Sequence, residues 1–354
     1  MTTTTAPSPP RAIVLGRPFV GPVFDTMLIG GGLSLLTVAA LQGSRDFGTA
    51  WIHTNLPLFI LLANVTHFAA STVRLYTKPG SFQELPFLTM GLPLVTFVVL
   101  TLAVIFSHQI GGPLQALYLT WSPFHYAAQT YGLATIYCLR SQRRLGEPEQ
   151  RLLWWTCMLP FAYALVRMPN AGIGWFLPPW FFARYPSLAD ARFLTEQVVG
   201  LATFAAPVVL AWRVWQTPAR GLPLIGWLLV LTNGIWWVVF TYLSAFAWAT
   251  VFHGVQYLAI VAIFHLRDHP PATPGRLAWL WPTVKFYATC LALGWLLFEV
   301  WPYAYVLAGF TLAESMLLCV AAINIHHFIV DRGIWRIRRD PNYRIVVAGD
   351  APAS

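Results

Sequence analysis

The chain has 354 residues, of which 57% are hydrophobic and only 10% charged, against about 25% charged in soluble domains. So little charge cannot cover a water-soluble fold of this size, which excludes an ordinary soluble enzyme and points to lipid as the solvent. The formal net charge of +9 falls in short connections between apolar runs, where it reads as a topology signal and a headgroup contact, not as a nucleic-acid surface.

Residues 1–18 are Thr/Pro-rich, carry Arg11 and Arg17, and lack the apolar core of a signal peptide; they read as a disordered cytoplasmic tail. Residues 19–330 read as a transmembrane bundle. Runs long enough for a crossing, which needs ~20 apolar residues, fall at 20–41, 55–73, 85–107, 113–139, 151–168, 193–212, 222–243, 248–266, 282–300 and 303–330. The expected fold is therefore all-α, a polytopic integral membrane helical bundle of about ten transmembrane helices. A closed β-barrel would alternate with a period of two instead.

Gly30, Gly31 and Gly32 follow Asp25 in the first run and allow close packing or a helix break. The seventh and eighth runs are separated only by "LSAFAW" at 243–248. The connection 167–192, rich in Pro, Gly and Trp, is expected to lie along the outer interface with Trp175 and Trp180 at headgroup level. Residues 331–354 read as a basic cytoplasmic tail. With both termini cytoplasmic, most of the 22 Lys and Arg fall inside, as the positive-inside rule requires; this is the pattern of a multi-pass protein of the cell membrane. Cys138, Cys157, Cys290 and Cys319 sit in or beside apolar runs with no CxxC pair, which argues against disulfides and against a thiolate zinc site.

Ionisable groups at depth are costly in lipid and point to function. Of the nine histidines, His53, His108 and His269 fall in loops or at interfaces, and His265 sits beside Arg267 at a span end. His67, His125, His253, His326 and His327 remain, and they form the expected metal-ligating set. Their surroundings pair up. "NVTHF" and "NIHHF" both read N-x-x-H-F, while "FHYAAQTY" and "FHGVQY" both place Gln three or four residues after a histidine. Residues three and four apart share a helix face, so Asn64, Gln129, Gln256, Tyr257, Asn324 and Asp331 are the expected partners that orient the imidazoles or bind the cofactor. Counting ~1.5 Å of rise from the nearest arginine puts His67 and His327 ~8–10 Å deep and His125 and His253 ~21–22 Å deep, in two layers.

Three readings follow. In the first, the histidines hold non-haem iron in a membrane-bound, oxygenase-like oxidoreductase whose partner, besides the lipid bilayer, is a lipophilic small molecule. In the second, two bis-histidine sites carry haem b and pass electrons across the membrane. In the third, the histidines, Glu299 and Glu314 form the relay of a transporter or proton-coupled carrier. There is no GxSxG, HExxH or P-loop. The scatter of histidines over membrane helices resembles that of the polytopic carotenoid-cleaving dioxygenases of the bacteriorhodopsin-associated type. No motif longer than a few residues is shared, so the resemblance assigns no residue a role.

Overall fold

The computed structural model describes residues 14–43, 54–143, 145–167, 172–177, 179–216, 221–270, 276–335 and 346. Among them every regular element is helical and there is no strand. The principal helices are α1 (Pro22–Ile29), α2 (Gly32–Gly43), α3 (Leu56–Thr77), α4 (Phe87–Ile105), α5 (Ser107–Arg140), α6 (Glu147–Arg167), α7 (Pro186–Gln216), α8 (Leu224–Val239), α9 (Tyr242–Asp268), α10 (Leu280–Leu307) and α11 (Leu312–Ile334). Six of the described helices, α3, α4, α7, α9, α10 and α11, are long and apolar enough to cross a membrane; counting α1 with α2 as one span makes seven. Helices α5 and α6 have 34 and 21 residues but are more polar. Large apolar side chains such as Leu94, Phe97, Leu194, Leu201 and Val208 are exposed along α4 and α7. A sheath of that kind suits acyl chains better than water, and with the long apolar helices it marks the chain as a membrane protein.

Several element ends differ from the sequence expectation, each for a local reason. The break between α8 and α9 falls at Phe240 and Thr241, ahead of "LSAFAW", because Phe240 leaves the helical region (φ −103°, ψ 164°). Helix α7 starts at Pro186, inside the connection 167–192 and ahead of the run expected from 193, with proline tolerated in its first turn. Helix α11 starts at a capping box between Thr311 and Glu314 and runs to Ile334, so Asp331 belongs to the bundle and not to a tail. Residues 14–18 are packed, not free: the Leu224 and Ile225 amides donate to the Val14 and Leu15 carbonyls at 2.9 and 3.1 Å. Residues 1–13 of the expected tail lie outside the described residues.

The chain divides into two compact units, Met1–Gly32 with Tyr126–Tyr242 and Leu33–His125 with Leu243–Ser354. In the first, buried Asp25 accepts the Phe19, Val20 and Gly21 amides at 2.6, 3.0 and 3.1 Å and the Tyr137 hydroxyl at 2.6 Å. Arg140 lies over the Phe19 ring at 3.9 Å and donates to the Pro18 carbonyl at 2.7 Å. The expected break in the first run is real: Gly31 has φ +87°, and a Cβ there would lie 2.7 Å from Thr232 Oγ1, so only glycine fits. Arg167, expected in an outer loop, donates to the Val238 and Phe240 carbonyls at 3.1 and 2.9 Å and closes the C-terminus of α8.

In the second unit, Val65 and Phe68 of α3 pack with Leu318, Ala322 and Ile323 of α11, and with residues of α4 and α10. Leu75 packs with Val330 and Ile334. The N-terminal halves of α3 and α11 therefore meet each other, as do their C-terminal ends, and the two helices run parallel. Between these two apolar clusters lies a polar layer.

Candidate metal centre

The polar layer is carried on stripes with helical spacing. On α3, Asn64, His67, Ser71 and Arg74 recur at intervals of three and four, and all are buried. On α11, Asn324, His327 and Asp331 repeat the pattern. Helix α9 contributes His253, Gln256 and Tyr257, and α5 contributes His125. A π-helical segment, Ile60–Val65, precedes His67; such turns occur frequently at functional sites. Helix α9 reaches α3 because residue 254 is glycine: a Cβ there would lie 2.7 Å from the Ala63 carbonyl oxygen. Gly294 does the same for α10 against Val65. Small residues are how membrane helices bring their backbones together.

Four imidazoles converge. Ring centroids are 4.9 Å apart for His67–His253 and for His67–His327, 5.0 Å for His125–His253 and 5.4 Å for His125–His327. Neighbouring rings meet edge to face, so the four form a closed quadrilateral. One nitrogen each of His67, His253 and His327 lies within 4.8 Å of the other two. The same limit holds for His125, His327 and a carboxylate oxygen of Asp331. Nitrogens ~2.1 Å from one ion in tetrahedral geometry are ~3.4 Å apart, so pairs at the 4.8 Å limit would have to close by about 1.4 Å to share a coordination sphere.

The outer hydrogen bonds fix how these rings point. His67 Nδ1 lies 2.5 Å from the Asn64 carbonyl oxygen. A carbonyl only accepts, which assigns the proton to Nδ1 and the lone pair to Nε2; Nε2 is buried and makes no hydrogen bond to the protein. His327 Nδ1 lies 2.9 Å from Ser71 Oγ, which itself donates to the Phe68 carbonyl at 3.0 Å. Asp331 Oδ2 is 3.3 Å from His327 Nε2 and 3.5 Å from His125 Nε2. The Tyr257 hydroxyl donates to the other oxygen, Oδ1, and the Trp335 indole donates to the Tyr257 oxygen at 3.4 Å. Arg74, 1% exposed, stacks over Trp335 and Phe264 at 4.7 and 5.0 Å and pairs with Asp268 at 3.7 Å.

Of the expected ligands, His326 is not brought to the centre. The neighbouring position on a helix turns it toward α4, where its Nδ1 lies 2.9 Å from Thr96 Oγ1. The two expected layers collapse into one. Arg74, taken as a surface marker, is buried, and the close approach at Gly254 sets His253 beside His67. Among the expected orienting residues, Asp331 and Tyr257 are in the network, and Asn64 serves through its backbone carbonyl. Asn324 bonds within its own helix, Nδ2 to the Val320 carbonyl at 2.6 Å. Gln256 is buried one turn from His253, and Gln129 belongs to the first unit. Ser71, Arg74 and Trp335 were missed as site residues, although the run 64, 67, 71, 74 on one face of α3 carries the first two. Of the carboxylates expected in a relay, Glu314 caps α11 and Glu299 is exposed.

Comparison with family models, with curated proteins and with solved structures finds no match. The centre's function therefore has to come from its own chemistry.

Proposed function

We propose that His67, His125, His253 and His327 hold one transition-metal ion, and that the chain is a membrane-bound, metal-dependent oxidoreductase acting on a lipid-soluble substrate. The observation that carries this reading is the convergence of four buried imidazoles, one with its lone pair fixed inward, on a carboxylate 3.3 and 3.5 Å from two of them. Lone pairs and a carboxylate gathered away from water repel one another unless a cation lies between them. Neutral imidazole suits iron, copper, nickel and zinc. Non-haem iron is the proposed metal, because it joins that ligand preference to redox chemistry. His125 keeps 14% of its side-chain surface exposed, beside exposed Trp121 and Phe124, which favours a substrate dissolved in the bilayer.

Haem b is the alternative cofactor. A porphyrin between two axial histidines would hold neighbouring side chains apart by the width of the macrocycle, and edge-to-face contact among four rings favours a bare ion. The finer topology is also proposed: about ten crossings, counting α5, α6 and α8 and the α1–α2 pair, both termini cytoplasmic, in the cell membrane. It is supported by the distribution of arginines.

Elemental analysis and absorption of the detergent-purified protein test the function. One iron per chain without a Soret band is expected. A Soret band that sharpens on reduction would establish haem instead, and a protein with neither metal nor chromophore would remove the oxidoreductase reading.

A further inference from the structure

The centre has an aromatic side chain whose placement exceeds what packing requires. The Tyr257 ring lies 5.4, 5.3 and 6.2 Å from the rings of His67, His327 and His253, so it touches three of the four imidazoles. Its hydroxyl donates to Asp331 Oδ1, while Oδ2 of the same carboxylate faces His125 and His327. A phenylalanine would fill the same apolar volume and leave Asp331 without that donor.

We propose that Tyr257 is the redox-active side chain of the centre, supplying one electron to the oxidised metal while its phenolic proton moves to Asp331. This rests on the metal-centre reading above. Were a bound ion raised one oxidation step by dioxygen or a peroxide, which would take up the electron the ion loses, the phenol would give one electron back to the ion. The O–H bond of Tyr257 breaks, the proton binds Asp331 Oδ1, and a neutral phenoxyl radical is left beside a metal ion returned to its former oxidation state. A one-electron donor reverses the step, with the proton going back from Asp331.

Three features favour this path. Electron and proton leave Tyr257 toward the same group of residues, so no net charge is separated in a medium where separation is costly. Trp335 Nε1 donates to the phenol oxygen at 3.4 Å and remains as a donor after the proton has gone. Trp335 lies 6.1 Å from Tyr257, ring to ring, and would be the next site for an electron vacancy. The Arg74 guanidinium, 4.7 Å over the indole, opposes a positive charge there. The vacancy is thereby confined to Tyr257.

The test is electron paramagnetic resonance on iron-loaded protein that has been treated with hydrogen peroxide and frozen. Metal content is measured first, and Tyr257→Phe, Trp335→Phe and the exposed Tyr303→Phe are compared with the unaltered chain. An organic-radical signal that narrows when the protein is made with ring-deuterated tyrosine is expected. It should be lost in Tyr257→Phe at unchanged iron content, kept in Tyr303→Phe, and kept with altered line shape in Trp335→Phe. A full iron complement with no tyrosine radical, or a radical that survives in Tyr257→Phe, would overturn the proposal while leaving the metal centre standing. Should Tyr257→Phe fail to hold iron, the deuteration result and the Trp335→Phe line shape decide the question. Absence of iron from the unaltered protein would remove both readings, and the metal content alone reports that.

Discussion

At the scale of single residues, adjacent His326 and His327 have separate surroundings because neighbouring positions on a helix face different partners. His327 meets the imidazoles of His67 and His125 and the ring of Tyr257, while His326 meets Thr96. Alanine at position 67, 125, 253 or 327 should therefore abolish metal retention, whereas His326→Ala should retain the full complement by elemental analysis. If His326→Ala empties the site, the ligand set is wrong. Asp331→Asn keeps the shape but removes the negative charge and one acceptor function. Residues that orient ligands typically contribute about 10- to 100-fold in metal affinity, and a loss in that range is expected in competition with a chelator. Asp331→Asn binding metal as tightly as the unaltered protein would make the carboxylate incidental.

At the scale of elements, the centre depends on how closely helices approach. Helix α9 is the most enclosed of the six apolar helices, with 72% of its apolar window buried, and α11 and α3 follow at 56% and 50%; these three carry His253, His327 and His67. Gly254→Leu should force α9 off Ala63, cost ~1–3 kcal/mol of stability by overpacking and lower metal occupancy. Gly132→Ala, with open space around its position, should do neither. Thermal unfolding followed with and without added metal measures both effects, and equal behaviour of the two variants would show that the contact at Gly254 does not set the site.

Most of this element-level organisation was readable in the chain. The repeated N-x-x-H-F and the one-turn spacing of His327 and Asp331 identify the faces, because helical periodicity is local. Depth was not readable. Counting each histidine from its nearest arginine assumes that an arginine marks the membrane surface, yet Arg74 is buried against Trp335, Phe264 and Asp268 and Arg140 is buried as well. Nor does sequence reveal that Gly254 lets two backbones touch, since a glycine in an apolar run looks the same whether it packs or merely fills space. Tyr257 was legible as a neighbour of His253, but its bond to Asp331 joins residues 74 positions apart.

At the scale of the whole molecule, the positive-inside distribution predicts a definite sidedness. The four cysteines are buried, which keeps the background low for labelling with a membrane-impermeant thiol reagent. Gln83→Cys, after α3, should label only from the cytoplasmic side, and Gln109→Cys, at the start of α5, only from the opposite side; both positions are exposed. Labelling of both from one face would reverse or break the proposed topology.

The order in which the four ligand helices appear along the chain has a consequence for biogenesis. Helices α3 and α5 are synthesised first, the segment that becomes most of the other unit follows, and α9 and α11 come afterwards. During translation the early pair must wait in the membrane with their imidazoles uncommitted, while more than a hundred residues are inserted after His125 and before His253. Only when α11 arrives, with its histidine and the aspartate one turn beyond, can the ring close. On the proposed metal centre, loading of an ion would be a maturation step that follows insertion of α11, and a chain arrested before α11 would lack the His327 ligand and be expected to stay apo.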